Sequence, residues 1–256
     1  MTSNSAEPTW IEAVNPLVKI TAVLSLGISV MIFPSLWFGV AVLVGLFVIA
    51  GAAGLIAPFS KLMLSFGIPI TVMLLFIQGG YSGRNQTVLA QIGFFTLGLE
   101  GTLYAMRIVL TVLVFLGSFF IMNRTTAPSR LVGALTSTGM SPKAGYLILS
   151  SLNVVPQMQR RLGVIREAQE ARGLSVTGGP LSRMKAYVPL LGPVVMSSLT
   201  DAQERGMTLE TRGFGLKGVK RTSYVEVPFR RVDALACLGF VLVLVAVVII
   251  TFMWGR

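Results

Sequence analysis

The sequence predicts an all-α integral membrane protein, with about five transmembrane helices plus a cytoplasmic domain of long amphipathic helices. Three observations carry that expectation. Of the 256 residues 54% are hydrophobic and 12% charged, and mean hydropathy is +0.78, which a water-soluble domain of this size would struggle to keep in solution. Five apolar stretches approach the roughly 20 residues that a helix needs to cross the bilayer's hydrocarbon. Charge is also segregated, since sixteen of the 21 Lys and Arg and six of the ten acids lie between residues 123 and 231.

The first stretch, 17–33, follows Asn15 and Pro16, where Asn15 can cap a helix and Pro16 take its first position. The second, 35–55, carries no charge and is set off by Pro34. The third, 62–79, comes after a link containing Pro58 and Lys61, and its Pro69 predicts a kink. The fourth covers 102–122, and the apolar segment 86–100 before it suggests an extension of the same helix. The fifth, 234–254, is the clearest. The chain therefore divides into a membrane domain, 1–122, a polar domain, 123–231, and a carboxy-terminal membrane helix, 232–256. No basic segment precedes the first apolar run, so no cleavable signal peptide is expected.

A net charge of +11 could point to nucleic acid, but in a membrane chain the first reading is a cytoplasmic excess of Lys and Arg. No nucleic-acid partner is expected. If the helices alternate, Lys19 and Lys61 fall on one side, which places the amino terminus and the polar domain in the cytoplasm.

Within the polar domain, Pro and Gly delimit three helices: about 128–139; 142–172, bent at Pro156; and 180–212, bent at Pro189 and Pro193. In the second, Met158, Leu162 and Ile165 recur at helical spacing. In the third, Val195, Leu199, Ala202, Gly206 and Leu209 form a stripe. Such helices lie on a surface, and these stripes are expected to pack between the two helices or against a partner. Arg160, Arg161, Arg166, Arg183 and Lys185 form either a solvated face or a contact with anionic lipid of the bilayer. Arg107, near the start of the fourth apolar run, is expected to snorkel to the interface or to contact a neighbouring helix, with Glu100 seven residues before it as a partner.

The chemistry available is limited. There is no His and a single cysteine, Cys237, so neither a disulfide framework nor a cysteine metal site can be built. Acid–base catalysis would fall to ten scattered carboxylates. The chain carries no Gly-x-x-x-x-Gly-Lys-[Ser/Thr] loop, so it is not itself a P-loop ATPase. No catalytic residue, metal site or cofactor is expected.

One local string occurs twice. Glu170-Ala171-Arg172-Gly173-Leu174 and Glu210-Thr211-Arg212-Gly213-Phe214 each close one of the two long helices. Gly just beyond a helix end closes the last turn in a left-handed conformation, and Arg there meets the negative end of the helix dipole. Capping alone leaves the recurrence unexplained. Arg is also a permanently charged fork able to bond carboxylates or carbonyls in a partner's groove, and two such ends suggest two similar docking sites.

The segments 155–174 (VPQMQRRLGVIREAQEARGL) and 189–215 (PLLGPVVMSSLTDAQERGMTLETRGFG), with NPLVK at 15–19 and EGTLYAMRIVL at 100–110, resemble the transmembrane T component of energy-coupling factor (ECF) transporters. That EcfT/CbiQ-like family is recognised by two Ala-Arg-Gly motifs at the ends of cytoplasmic coupling helices. The first motif matches as Ala171-Arg172-Gly173; the second departs to Thr211-Arg212-Gly213. The resemblance implies a non-catalytic scaffold in a prokaryotic plasma membrane. It would bind two ABC-type ATPases through these six residues, supported by Glu170, Leu174, Glu210 and Phe214. It would bind a small substrate-binding S component in part through Met158, Leu162, Val195, Leu199 and Ala202, for vitamin or transition-metal uptake. The alternatives are a conventional ABC permease, which would use one short coupling loop and its own pathway, and a membrane-embedded transferase or protease. The second would require clustered carboxylates, or a nucleophile and base at bilayer depth, and the sequence offers neither.

Overall fold

The computed structural model describes residues 10–33, 35–80, 87–92, 95–173, 179–216 and 227–254. Pro34 and Leu174 lie outside them, as do the side chains of Arg183 and Lys185. The described residues form nine α-helices: α1 Trp10–Ala13, α2 Pro16–Ile32, α3 Leu36–Ala52, α4 Ile56–Leu74, α5 Leu99–Thr125, α6 Pro128–Ser137, α7 Pro142–Ala171, α8 Pro180–Thr211 and α9 Arg231–Trp254. A π-helical turn, Leu75–Gly79, extends α4, and strands β1 Val88–Ile92 and β2 Phe95–Gly98 pair antiparallel before α5. The protein is an all-α membrane protein, with this small hairpin among the described residues.

Ile56–Gly79, Leu99–Thr125 and Arg231–Met253 are long and apolar enough to cross a bilayer. The helices α2 and α3 have 17 residues each, about 25 Å at 1.5 Å per residue, the lower end of a spanning length.

Two expectations are corrected. Segment 86–100 does not extend the fourth helix; β1 and β2 occupy 88–98, and α5 starts at Leu99. Val88, Ile92, Phe95 and Thr96 are β-branched or aromatic residues that prefer strands, and Gly98 is a poor helix former. The third helix starts at Ile56, six residues earlier than expected, so Pro58 and Lys61 lie inside it. Pro58 is its third residue, where a missing N–H removes no helical bond. Asn15 caps α2 as expected, its Oδ1 accepting from Leu17 N at 3.0 Å with Pro16 at the first position.

The chain separates into two compact units, 1–134 with 226–256, and 135–225. In the first, α5 is the central helix, packed against α2, α3 and α4, while α9 lies on α2. Val30, Leu46, Ala50, Phe59, Met63, Val114 and Ile121 form its core. The Phe59 ring sits edge-on to Phe47 at 4.8 Å. Glycines let the helices approach closely, as in membrane bundles generally. A Cβ on Gly117 of α5 would lie 3.1 Å from Phe59 Cζ and 3.2 Å from Met63 Cε, and one on Gly39 of α3 would lie 3.2 Å from Leu110 of α5.

Polar groups gather at one edge of this unit. The Lys19 ammonium donates to Thr125 O at 2.8 Å and Thr126 Oγ1 at 3.2 Å, satisfying a carbonyl left open at the end of α5. Asn15 Nδ2 donates to Pro228 O at 3.5 Å, and Arg130 to the Glu12 carbonyl. The start of α2, the end of α5 and the approach to α9 therefore lie together, as four alternating crossings by α2 to α5 require. The buried hydroxyls of Ser118 and Thr125 bond to their own helix, Ser118 Oγ to Val114 O at 2.6 Å and Thr125 Oγ1 to Ile121 O at 2.8 Å, whereas the buried Ser29 Oγ of α2 has no partner among the described residues. Arg107 is exposed on α5, and Glu100 accepts from Thr87 N and Oγ1 at 3.2 and 2.8 Å.

Candidate functional site

The second unit is built on α7 and α8, of 30 and 32 residues. Ser141 caps α7, its Oγ accepting from Ala144 N at 3.2 Å, and Pro142 and Pro180 take the first positions of the two helices. Pro156, Pro189 and Pro193 lie within them.

Both helices end alike. Arg172 and Arg212 are the C-caps, with backbone angles of −88°, 9° and −83°, 7°. The following glycines are left-handed, Gly173 at φ +92° and Gly213 at φ +70°. Gly173 N donates to Glu170 O at 3.0 Å and Gly213 N to Glu210 O at 2.9 Å. At the second end Phe214 N also donates to Leu209 O at 2.8 Å, which completes the paired bonds of a Schellman motif. A Cβ at Gly173 meets no atom within 4 Å, so the backbone conformation alone calls for glycine there.

The side chains at the two ends take different roles. Arg172, Arg212, Ala171, Glu170, Glu210 and Thr211 are exposed, so each end presents a guanidinium to solvent. Thr211 Oγ1 donates to Thr208 O at 3.0 Å, and its hydroxyl is satisfied within its own helix despite replacing Ala. Phe214 turns back, its ring 5.1 Å from Tyr146 of α7; it anchors the end of α8 instead of projecting. Glu170 pairs with Arg166 at 2.7 Å, one turn away.

A ladder of polar groups joins α7 to α8. Arg205 donates to Ser150 Oγ at 2.9 Å and Gln157 Oε1 at 3.3 Å. Gln157 Nε2 donates to Asp201 Oδ2 at 3.3 Å, and Arg161 forms an ion pair with the same carboxylate. Arg161 Nη1 also donates to Ser197 O and Oγ at 3.0 and 3.1 Å. Met158 meets Ser198 at the same seam, Sδ to Oγ 3.9 Å, and Leu162 on α7 is half-buried. On α8 the groups bonded to α7 are therefore Ser197, Ser198, Asp201 and Arg205, and Ala202 borders the same seam, whereas Val195 and Leu199 are 61% and 56% exposed. The α8 stripe, expected to pack between the two helices or against a partner, thus divides: Ala202 and Leu209 border α7, and Val195 and Leu199 are exposed. The signal of the ladder in the sequence was a carboxylate on α8, Asp201, able to pair with Arg161 of the basic cluster. Of the basic cluster, Arg161 and Arg166 are thus paired with carboxylates.

The partners also give the direction of the helices. Tyr146 lies by Phe214, Ser150 by Arg205, Gln157 by Asp201 and Arg161 by Ser197. As one number rises the other falls, so the helices run antiparallel. The end of α8 lies beside the first turns of α7, where Tyr146, Leu149, Asn153, Leu209 and Arg212 line a groove of about 340 Å³. Arg172 lies at the far end of α7, roughly 35 Å away at a rise of 1.5 Å per residue. The unit is a strut with a similar charged end at each extremity.

Comparison with known proteins agrees with this architecture. The CbiQ family model, described as cobalt transport protein, matches residues 7–224. The chain is 31% identical over 196 residues to the energy-coupling factor transporter transmembrane protein EcfT of Bacillus subtilis, covering 71% of this chain and 72% of that protein. It is 29% identical over 187 residues to EcfT of Leuconostoc gelidum subsp. gasicomitatum, covering 68% and 67%. It is 28% identical over 240 residues to EcfT of Listeria innocua, covering 83% of each. With a family match over most of its length and relatives of this kind, the chain belongs to the CbiQ family, as an EcfT/CbiQ-like T component of energy-coupling factor transporters.

Proposed function

We propose that this chain is the energy-coupling scaffold of an ECF-type importer in a prokaryotic plasma membrane, with the unit 135–225 in the cytoplasm. Two ABC-type ATPases dock on its two Arg-Gly helix ends, one on Ala171-Arg172-Gly173 and the other on Thr211-Arg212-Gly213. A small membrane-embedded S component supplies the substrate site for a vitamin or transition-metal ion. The chain itself is non-catalytic.

The observation that carries this reading is the pair of similarly closed helix ends, each with an exposed Arg, at opposite extremities of one antiparallel pair. A left-handed glycine stops the backbone directly behind each guanidinium, so the fork projects from a blunt end and can enter a groove on a partner. A separation of roughly 35 Å suits two separate partners better than one. The ATPases approach and part as they bind and hydrolyse ATP, which shifts the two ends relative to one another. The exposed Val195 and Leu199 on α8 give the S component an apolar surface through which that shift tilts it, with Met158 and Ala202 behind them at the seam and the half-buried Leu162 on α7.

Affinity purification of the tagged chain from its native membrane tests the reading. The expected companions are ABC-type ATPase subunits and one small membrane protein, and the isolated chain should bind neither ATP nor substrate. Saturable substrate binding by the isolated chain would contradict the scaffold assignment.

A further inference from the structure

In the first unit, a cavity of about 280 Å³ lies between the α1–α2 link, Arg130 of α6 and the start of α9. Two arginines line it. Arg130 donates to the carbonyls of Glu12 and Ala13, neutral acceptors that fix its position while taking two of its five donors. The Arg230 side chain is exposed and bonds to no described residue. The acid that lines the cavity, Asp233, is engaged with the backbone, its Oδ2 accepting from Arg230 N at 2.9 Å. Two guanidiniums against one carboxylate leave the cavity positive, with donors to spare.

This positive opening sits at a membrane boundary. The apolar span Arg231–Met253 begins directly after Arg230. Val232 lines the cavity, and it is also the first of Val232, Leu235, Leu238 and Leu242, each more than half exposed. At spacings of three and four residues these four form one face of α9. The cavity therefore opens onto an apolar stripe that runs into the bilayer.

We propose that this cavity binds the headgroup of an anionic phospholipid, with Arg130 and Arg230 donating to its phosphate and the acyl chains lying along the α9 face. Guanidinium matches phosphate geometry with two parallel bonds, and basic pockets beside membrane helices recognise anionic headgroups. A free phosphate ester would offer the same charge, but the adjoining stripe gives a lipid a second point of contact. Size points the same way. The cavity lies just below the roughly 300–1,000 Å³ of ordinary small-molecule sites, so it admits a headgroup and leaves the chains outside. The site belongs wholly to the first unit and stands apart from docking at Arg172 and Arg212.

The full chain, purified in a non-ionic detergent, is titrated with phosphatidylglycerol or with phosphatidylcholine, and bound lipid is counted by native mass spectrometry. One phosphatidylglycerol should bind saturably and at least about fivefold more tightly than phosphatidylcholine, the effect of about 1 kcal/mol for each basic residue near anionic lipid. Arg230→Gln removes a guanidinium that holds nothing else, so it should weaken phosphatidylglycerol about fivefold while the chain melts as before. Arg230→Lys, which keeps the charge, should retain most of the binding. Lys61→Gln, on α4 and outside the cavity, should change nothing. Glycerol 1-phosphate, which has the phosphate without the chains, should not displace phosphatidylglycerol at equal concentration. Equal affinity for the two lipids, undiminished binding by Arg230→Gln, or the same loss in Lys61→Gln would overturn the site. A lowered melting temperature of Arg230→Gln without lipid would overturn it too, since Arg230 would then serve the fold, and equal competition by glycerol 1-phosphate would make the ligand a free anion instead of a lipid.

Discussion

Replacing Gly173 or Gly213 with Ala should damage the helix ends without touching a charge. Their φ angles, +92° and +70°, place both in the left-handed region, where a Cβ costs about 1–2 kcal/mol. At Gly173 the added methyl meets nothing within 4 Å, so the conformational cost is the whole effect. At Gly213 it would approach Leu216 Cδ1 at 3.0 Å, the tip of a side chain that can turn aside, which adds little. A cost of 1–2 kcal/mol lowers the closed-end population about 5–30-fold. Amide hydrogen exchange reads this directly at Phe214 N, whose bond to Leu209 O is 2.8 Å; it should exchange faster in Gly213→Ala, and uptake should fall with it. Asn tolerates the left-handed region better than Ala, so Gly213→Asn should recover part of both. Unchanged exchange and uptake in Gly213→Ala, or an Asn variant no better than Ala, would refute the claim that end geometry governs docking.

Two further outcomes concern the membrane unit. Gly117→Leu forces side-chain atoms against Phe59 and Met63, already within 3.1–3.2 Å of an added Cβ. Overpacking of this kind costs about 1–3 kcal/mol, so the detergent-purified chain should lose thermal stability, while Gly45→Leu on α3, where nothing lies within 4 Å, should not. Lys19→Met removes the donor to Thr125 O and Thr126 Oγ1 and leaves a buried carbonyl open, a loss of about 1–3 kcal/mol. Its melting temperature should fall, and Lys19→Arg should retain more of it than Met does.

Much of this architecture is legible in the residues because the bilayer imposes strong rules. Uncharged runs near twenty residues, the Asn15–Pro16 start and the segregation of Lys and Arg follow from desolvation and capping, which act locally. The recurrence of Glu-x-Arg-Gly likewise marks two helix ends, since only glycine fits the left-handed position cheaply. Segment 88–98 misled because short apolar runs satisfy both periodicities, and a hairpin's pairing is not written in either strand alone. Pro58 misled for another reason: it reads as a break, yet in a first turn it breaks nothing. The seam between α7 and α8 was hidden because Arg161 and Asp201 look like ordinary solvated charges until the partner helix is in place. Tertiary pairing of two half-buried charges leaves no periodic trace.

In the function proposed above, Arg172 and Arg212 are the points through which ATP-driven movement enters this chain. The most direct measurement is uptake, with ATPase co-purification, by the double variant Arg172→Glu, Arg212→Glu, after confirming that the purified chain melts as the unaltered one does. Both side chains are exposed C-cap residues, so reversal should cost the fold little beyond the helix-dipole effect of about 0.3–1 kcal/mol per end. The expected result is loss of the ATPases and of uptake with the membrane unit intact. Full uptake with the ATPases still bound would contradict it.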